Sequence, residues 1–245
     1  MATGKIFVGI GGWTFAPWRG TFYPDDLPQK RELEFAAKAL TSIEINGTYY
    51  SLFKPESFAK WRSETPDDFV FSVKGSRYCT NRTNLGEGAG IERFVAQGLS
   101  ELKDRLGPIN WQFMESKKFD AGEIEAFLKL LPAEVDGLRL RHALEPRHAS
   151  FDDPKFFKLA EKYNAAIVFA DTDKFPSIDQ QTADFSYARL MRTSEDVETG
   201  YRPAELDALA KKAKASAKRG DAFIYFISGT KIRAPAAAQA LIKRL

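Results

Sequence analysis

The feature that most limits how this chain can fold is its alternation of short apolar segments with amphipathic ones. The apolar segments have the length of buried β-strands and are rich in Val, Ile, Leu and Phe. They predict strands over residues 5–10, 42–46, 69–74, 109–113, 138–145, 165–171, 185–190 and 222–227. Around them, apolar residues recur at helical spacing, which predicts helices over residues 31–40, 56–63, 91–106, 120–131, 153–163, 202–219 and 235–245.

Eight strands with helical crossovers are the number that a (β/α)8 barrel needs, and the length of the chain also fits that fold. We therefore predict one TIM-like barrel domain over residues 1–245, in the α/β class. The connection over residues 172–184 is short and irregular, so we expect the helix between the sixth and seventh strands to be short or missing. A doubly wound open sheet is the alternative, because periodicity does not show whether a sheet closes.

Composition narrows the classes of function. The formal net charge of +3 weakly favours an anionic ligand but is far from that of a chain that coats nucleic acid. Cys79 is the single cysteine, which excludes an internal disulfide and a cysteine-based metal cluster. No apolar run approaches the length of a membrane span, and the first residues lack the apolar core of a signal peptide. We expect a cytoplasmic protein without a membrane partner.

Six motifs in chain order resemble the domain-of-unknown-function 72 family, the YecE-like proteins. They occupy residues 8–24, 42–52, 69–81, 106–113, 144–151 and 182–190. The resemblance implies a TIM barrel and a bacterial cytoplasmic protein, and it implies no established activity. The chain resembles a divergent member, because Met191 and Arg192 stand where the family commonly has His-Gly. Ile227, Ser228 and Gly229 likewise replace an Asn-Asn-Asp run after the eighth strand.

Polar residues lie where the predicted strands end. In TIM barrels the active site forms at the carboxyl ends of the strands, so these side chains are expected to meet at one mouth. Three of them are candidates for acid–base catalysis: Glu44, Glu145 and His148. The predicted substrate-binding residues are Trp13, Asn46, Lys74, Arg77, Gln112, Arg147, Asp171 and Arg189.

The two histidines of the chain lie six residues apart, and the pattern assigns them different roles. His142 falls within the fifth predicted strand, three residues before Glu145, so alternation places it on the face towards the helices. We expect it to be structural. His148 follows the same strand and, as the one histidine near the mouth, is the candidate for proton transfer near neutral pH. A histidine that braces the loop is the alternative.

Lys74, Arg147 and Arg189 together are typical of an anion clamp, since guanidinium groups match phosphate and carboxylate. The alternative is that these cations balance the charges of Glu44, Glu145 and Asp171. The rings of Trp13, Tyr49 and Tyr78 could stack on a sugar or a base, or simply pack at the rim.

Three functions fit this pattern. The first is an enzyme, hydrolase-like or isomerase-like, that acts on a small phosphorylated or sugar-like anion without a cofactor. The second is a metal-assisted phosphodiesterase or isomerase, resembling apurinic-endonuclease and xylose-isomerase barrels. Its single Mg²⁺ or Mn²⁺ would be bound by Glu44, Glu145, Asp171 and His148. The third is a non-catalytic protein that binds a metabolite or nucleic acid. The mixture of carboxylates and cations favours the first, and nucleic acid is not favoured as the partner.

Overall fold

The computed structural model describes residues 3–88 and 90–245. Its eight parallel strands close into a barrel in which the first strand pairs with both the second and the last. The strands are β1 Ile6–Gly11, β2 Ser42–Ile45, β3 Val70–Lys74, β4 Leu106–Gln112, β5 His142–Glu145, β6 Ala166–Asp171, β7 Phe185–Leu190 and β8 Asp221–Phe226. The predicted (β/α)8 barrel is confirmed, and the open sheet considered as its alternative is wrong.

Helices connect the strands on the outside of the barrel. The α-helices are α1 Glu32–Ala39, α2 Pro55–Ser63, α3 Arg77–Thr80, α4 Ile91–Val95, α5 Ala121–Leu130, α6 Pro154–Lys162, α7 Pro203–Ala217 and α8 Ala234–Ile242. Short 3₁₀ segments lie at Ala16–Trp18, Gln29–Arg31, Gly47–Tyr49, Leu85–Glu87, Leu99–Arg105, Ala149–Phe151 and Lys231–Arg233. Within the described residues, no helix is both long and apolar enough to cross a membrane.

The interior of the barrel changes from apolar to charged along the strands. Near their amino ends the rings of Phe7 and Phe223 stack with centroids 4.9 Å apart. Two residues further on, hydroxyls meet across the barrel: Ser72 Oγ lies 2.7 Å from the Tyr187 hydroxyl. The layer above, at the carboxyl ends, is made of charged and amide side chains. Because alternate residues share a face, one half of the side chains of each strand points into the barrel and the other half points outward to the helices.

The fifth strand is shorter than predicted. The sequence pattern covers residues 138–145, but only His142–Glu145 joins the barrel. Upstream, Glu134–Val135 pairs antiparallel with Leu138–Arg139. The two residues between them, Asp136 and Gly137, have φ of 48° and 76°. An Asp-Gly pair with both φ values positive is the preferred two-residue hairpin turn. The turn therefore places Leu138 and Arg139 in a separate hairpin and shortens the barrel strand at its amino end.

The helix predicted over residues 91–106 is interrupted. The α-helix ends at Val95, and a 3₁₀ segment follows over Leu99–Arg105. Gly98 lies between them with φ of 110°, and a Cβ there would stand 2.6 Å from the Cα of Pro55. The close approach of the α2 start therefore requires a glycine in a conformation that a helix does not contain.

The helix expected to be short or missing between the sixth and seventh strands is missing. Residues 172–184, all of them described, contain no helix. The side chain of Lys212 on α7 extends across instead, with Nζ 3.1 Å from the centroid of the Phe169 ring. The same Nζ lies 2.9 Å from a carboxylate oxygen of Asp179 in the connection. This contact covers part of the outer face of β6.

Candidate functional site: a charged cluster in the mouth of the barrel

Strand register brings the predicted polar residues together at the carboxyl ends of the strands. Lys74 on β3 pairs with Asn110 on β4, and Gln112 on β4 pairs with Glu145 on β5. Glu44 lies one strand before β3, opposite Ser72, whose hydroxyl faces the interior. The side chains of these paired residues point to the same face. Six strand-end positions thus supply one cluster, composed of Glu44, Lys74, Asn110, Gln112, Glu145 and Arg189, to which Arg147 is added from the loop after β5.

Arg189 links the two carboxylates of the cluster. Its Nη1 donates to both oxygens of Glu145, at 2.8 and 2.7 Å, and its Nη2 donates to Glu44 Oε1 at 3.0 Å. The three side chains are at most 2% exposed. Buried charges at this depth persist only when paired and hydrogen-bonded. Arg189 therefore balances the charges of Glu44 and Glu145, as the alternative to an anion clamp states for this residue.

Two neutral groups complete the bonding of the carboxylates. The Tyr187 hydroxyl donates to Glu44 Oε2 at 2.6 Å, and Asn110 Nδ2 donates to Glu145 Oε2 at 3.0 Å. Burial and the nearby Glu44 charge raise the pKa of Tyr187 well above its usual value, so its hydroxyl stays protonated and remains a donor. Sequence reasoning missed both residues. Alternation from Arg189 and Gln112 would have placed each of them on the inner face.

Arg147 holds Glu145 from the solvent side. Its Nε and Nη2 donate to Glu145 Oε1 at 3.1 and 2.9 Å, and Nη2 also donates to Gln112 Oε1 at 2.7 Å. Its guanidinium carbon lies 4.4 Å from the centroid of the Phe175 ring. The fork of donors is thus directed at protein acceptors rather than at the open mouth.

The charges around Glu145 determine its protonation. Burial alone would raise the pKa of this carboxyl, but the positive charges of Arg189, Arg147 and Lys74 and the hydrogen bond from Asn110 lower it to about 2. Glu145 is therefore a carboxylate at neutral pH. Its role in acid–base catalysis stays a prediction.

Lys74 differs from the two arginines because its charge has no direct partner. The side chain is 9% exposed, yet no described residue accepts a hydrogen bond from its Nζ or places a carboxylate oxygen within 4.0 Å of it. The centroid of the Tyr49 ring lies 4.6 Å from Nζ. Burial and the nearby Arg189 charge lower the pKa of the Lys74 amine to about 8. A perturbed pKa in a cleft is typical of a functional site.

The cluster carries an excess of positive charge. Within the cluster, Arg189, Arg147 and Lys74 stand against the two carboxylates of Glu44 and Glu145, and the exposed Glu115 approaches Arg147 only to 4.0 Å. Unused acceptors lie in the same region, since Asn110 Oδ1 and Asn46 Oδ1 are buried and accept no hydrogen bond from the described chain. A ligand that combines an anionic group with hydrogen-bond donors would complement both features.

Asp171 and Arg77 are two of the predicted site residues that lie apart from this cluster. Asp171 pairs in register with Leu190, while its neighbour Ala170 pairs with Arg189, so parity places Asp171 on the outer face of the barrel. There it accepts from the Tyr201 hydroxyl at 2.8 Å and pairs with Arg192 at 2.6 Å. Arg77 lies on the exposed short helix α3, with its guanidinium carbon 5.6 Å from the Tyr50 ring centroid.

The two histidines occupy different surroundings. His142 accepts from Trp111 Nε1 at 3.1 Å through Nδ1, and its Nε2 lies 2.8 Å from Pro132 O. It therefore packs in the outer layer, as expected, and burial lowers its pKa to about 4. His148 Nδ1 accepts from the backbone N–H of Ser150 at 3.1 Å and caps the short helix that follows. No hydrogen bond joins it to the described members of the charged cluster, so its catalytic role stays a prediction.

Trp13 and Asn46 line a separate cavity beside the cluster, between the ends of β1 and β2. Gly12, Trp61 and Lys231 also face this cavity. The Trp13 ring packs edge-on against Trp61, with centroids 5.3 Å apart. The indole of Trp13 offers a surface for a sugar ring, and the unpaired amide oxygen of Asn46 can accept from a sugar hydroxyl. That these two residues bind substrate stays a prediction.

The donors required by the metal-dependent alternative are separated from one another. Arg189 stands between Glu44 and Glu145, Asp171 lies on the outer face, and His148 caps a helix. Over residues 3–88 and 90–245, no three His, Cys, Asp or Glu side chains are grouped as a cation site. This arrangement gives the metal-dependent alternative no support.

Comparison with known proteins finds the same family that the sequence motifs resemble. Residues 7–245 match the family described as Protein of unknown function DUF72. The UPF0759 protein YecE of Escherichia coli (strain K12) is 28% identical over 160 residues, which is 64% of this chain and 52% of YecE. A tRNA-2-methylthio-N(6)-dimethylallyladenosine synthase of Streptomyces coelicolor is 30% identical over 145 residues, 58% of this chain and 24% of that protein. The chain thus matches about half of YecE and a smaller part of the synthase.

A solved structure of similar fold covers the entire barrel. The crystal structure of a DUF72 family protein from Thermotoga maritima superposes with a TM-score of 0.77 at 25% sequence identity, covering 97% of each chain. The closed barrel is therefore shared along the whole length of both chains.

Proposed function

Since the chain belongs to the DUF72 family, in which no activity is assigned, we propose a function from its own site: an enzyme that binds a small anionic metabolite in the mouth of the barrel. One observation carries the proposal, namely the largely buried Lys74 side chain, whose amine forms no hydrogen bond or ion pair with any described residue. Glu145 and Glu44 act on this charge only from beyond ion-pair distance, and a largely buried cation without a close partner is costly in a fold. A ligand anion would supply the missing charge.

The division of labour among the cations supports this assignment. Arg189 and Arg147 are occupied by Glu44 and Glu145, so the clamp predicted from three cations is reduced to Lys74 as the free member. With a pKa of about 8, the amine is mostly protonated at neutral pH and attracts a phosphate or carboxylate. The remainder of a sugar-like substrate could donate hydrogen bonds to the unpaired amide oxygens of Asn46 and Asn110 and pack against the ring of Trp13.

The chemistry that this site favours is proton transfer. Lys74 can donate or accept a proton near neutral pH, because its pKa lies close to the working range. Glu145 cannot act as an acid there, since its pKa is held at about 2. Glu44 accepts from Arg189 and Tyr187 and would orient a bound substrate electrostatically. His148 remains the second candidate for proton transfer.

An isomerase or a hydrolase is consistent with these groups. The match to the tRNA-modifying synthase spans too little of that enzyme for its reaction to be assigned here.

The proposal is tested by calorimetric titration with inorganic phosphate and with a hexose 6-phosphate at pH 7. Wild-type protein is compared with Lys74→Met and with the matched control Lys38→Met, which removes an exposed lysine paired with Glu34 on α1. Loss of one charge-assisted contact corresponds to about 1.5–3 kcal/mol, so we expect Lys74→Met to weaken binding about tenfold or more. Equal affinities for wild type and Lys74→Met would refute the anion site.

A further inference from the structure

A continuous row of cations and aromatic rings leads outward from Lys74 to the surface. Lys74 Nζ lies 4.6 Å from the Tyr49 ring centroid, and the Tyr49 and Tyr50 rings are 5.0 Å apart. The Arg77 guanidinium carbon then lies 5.6 Å from the Tyr50 centroid and 5.6 Å from the Tyr78 centroid. Each member contacts the next, so the row joins the interior of the mouth to the rim between β2 and β3.

The outer end of this row is unusually exposed. Tyr50 is 59% and Tyr78 is 64% exposed, more than any other large apolar or aromatic side chain of the described chain. Packing does not require such exposure, since the other rings of this region, Phe53, Phe58 and Trp61, pack against one another. Two open ring faces therefore stand beside one guanidinium.

Arg77 is available to a ligand. No carboxylate of the described residues forms an ion pair with it, whereas its neighbour Arg82 is paired with Glu87 at 3.6 Å. Its guanidinium lies within cation–π distance of both tyrosine rings, and it carries five donors in a fixed planar fork. The rim thus offers ring faces, fixed donors and positive charge, without a negative side chain among these contacts.

A nucleotide has the chemistry that this row selects. Its base is a flat ring that stacks on tyrosine and on guanidinium, and stacking of this kind accepts any base. Its phosphate needs a cation at the other end of the molecule, and Lys74 stands two contacts inward from Tyr50. A phosphorylated sugar without a base would use Lys74 and leave the tyrosines uncovered.

We propose that Tyr50, Arg77 and Tyr78 form a base-stacking platform for a nucleotide whose phosphate is bound by Lys74. This inference rests on the proposed function, because it assigns the substrate class of the same mouth. The nucleotide can be free or can be the phosphorylated end of a single strand. With two exposed rings, the platform has room for two successive bases.

The test is calorimetric titration with four probes: inorganic phosphate, thymidine, thymidine 5′-monophosphate and the 5′-phosphorylated thymidine dinucleotide. The proteins are wild type, Tyr50→Leu, Tyr78→Leu, Lys74→Met and the matched control Tyr163→Leu, which removes a ring at the opposite end of the barrel, after α6. We expect the monophosphate to bind about tenfold or more tightly than inorganic phosphate, from the usual contribution of one stacked base. Tyr50→Leu, which removes the ring nearer Lys74, should remove that advantage and leave phosphate affinity unchanged, whereas Tyr78→Leu should weaken binding of the dinucleotide.

The outcomes separate this inference from the proposed function. If phosphate binds through Lys74 but the monophosphate binds no better, or binds equally well without the tyrosines, the platform is refuted and the anion site stands. If neither phosphate nor nucleotide binds, both fail. If nucleotide binding depends on the tyrosines but not on Lys74, the placement of the phosphate is wrong. Tighter binding of the dinucleotide than of the monophosphate identifies a single strand as the source, and equal binding identifies a free nucleotide.

Discussion

Lys74 is the residue at which function and stability oppose each other. Its amine is buried beside Arg189, and these two causes lower its pKa from the usual 10.5 to about 8. A depressed lysine pKa means that the folded state holds the proton less tightly than the unfolded chain. The charged amine therefore costs stability below pH 8, and a bound anion would offset that cost.

The first prediction is that Lys74→Met stabilises the protein while it weakens anion binding. In anion-poor buffer at pH 7, we expect the free energy of unfolding to rise by on the order of 3 kcal/mol, from a pKa shift of this size. Above pH 10.5 the lysine is neutral in both states, so the difference between the variants should vanish. Urea denaturation at several pH values measures it. A variant less stable than wild type at pH 7 would mean that Lys74 serves as a structural partner of the carboxylates.

The second prediction concerns His142. Burial lowers its pKa from 6.5 to about 4, and its Nδ1 already accepts a hydrogen bond from Trp111. The unfolded chain binds a proton from about pH 6.5 downward and the folded protein only near pH 4, so stability is lost as the pH falls between these values. We expect a loss of about 3 kcal/mol from this residue. His142→Gln should lack that part of the slope and His148→Gln should keep it. The same slope in wild type and His142→Gln would contradict the assignment.

At the residue scale, alternation along the strands predicted a large part of the site. It brought Glu44, Lys74, Gln112, Glu145 and Arg189 to one face, and the structure has them together. Which cation pairs with which carboxylate depends on the register of eight strands, and no single segment contains that information. Asp171 shows the same limit, since a shift of one residue moves a side chain to the other face.

At the scale of the element, two local signals were stronger than the periodicity. The Asp136–Gly137 turn shortened a predicted strand at its amino end, and Gly98 divided a predicted helix. The turn could have been found, because Asp-Gly between apolar residues is a known hairpin signal. The break at Gly98 could not, because its cause is Pro55, which lies 43 residues earlier in the chain and packs against it.

The third prediction tests that contact. Gly98 has φ of 110°, and an added Cβ would stand 2.6 Å from Pro55 Cα. Gly98→Ala should therefore destabilise the protein by about 2 kcal/mol or more, from backbone strain and overlap together. Gly122→Ala is the matched control: it lies in α5, and the nearest atom to its Cβ would be 3.4 Å away. We expect the control to be neutral or stabilising by up to about 1 kcal/mol. Equal thermal denaturation midpoints for the two variants would show that Gly98 does not hold α2 in place.

At the scale of the whole molecule, the alternation of strands and helices predicted the architecture. Closure of the barrel was the part that periodicity left open. The pairing of β1 with β8 joins residues near the two ends of the chain, and only the complete set of strands determines it. The barrel then collects side chains that are far apart in sequence, such as Lys74 and Arg189, into one electrostatic unit with an excess of positive charge.

The most direct test of this excess charge is an NMR titration of Lys74 in protein whose lysines carry ¹³C at Cε, with Lys74→Met used to assign the signal. We predict a midpoint near pH 8 in the free protein, against about 10.4 for exposed lysines. Inorganic phosphate should move the midpoint upward, because an anion favours the protonated amine. A Lys74 signal that titrates with the exposed lysines and does not respond to phosphate would contradict the account.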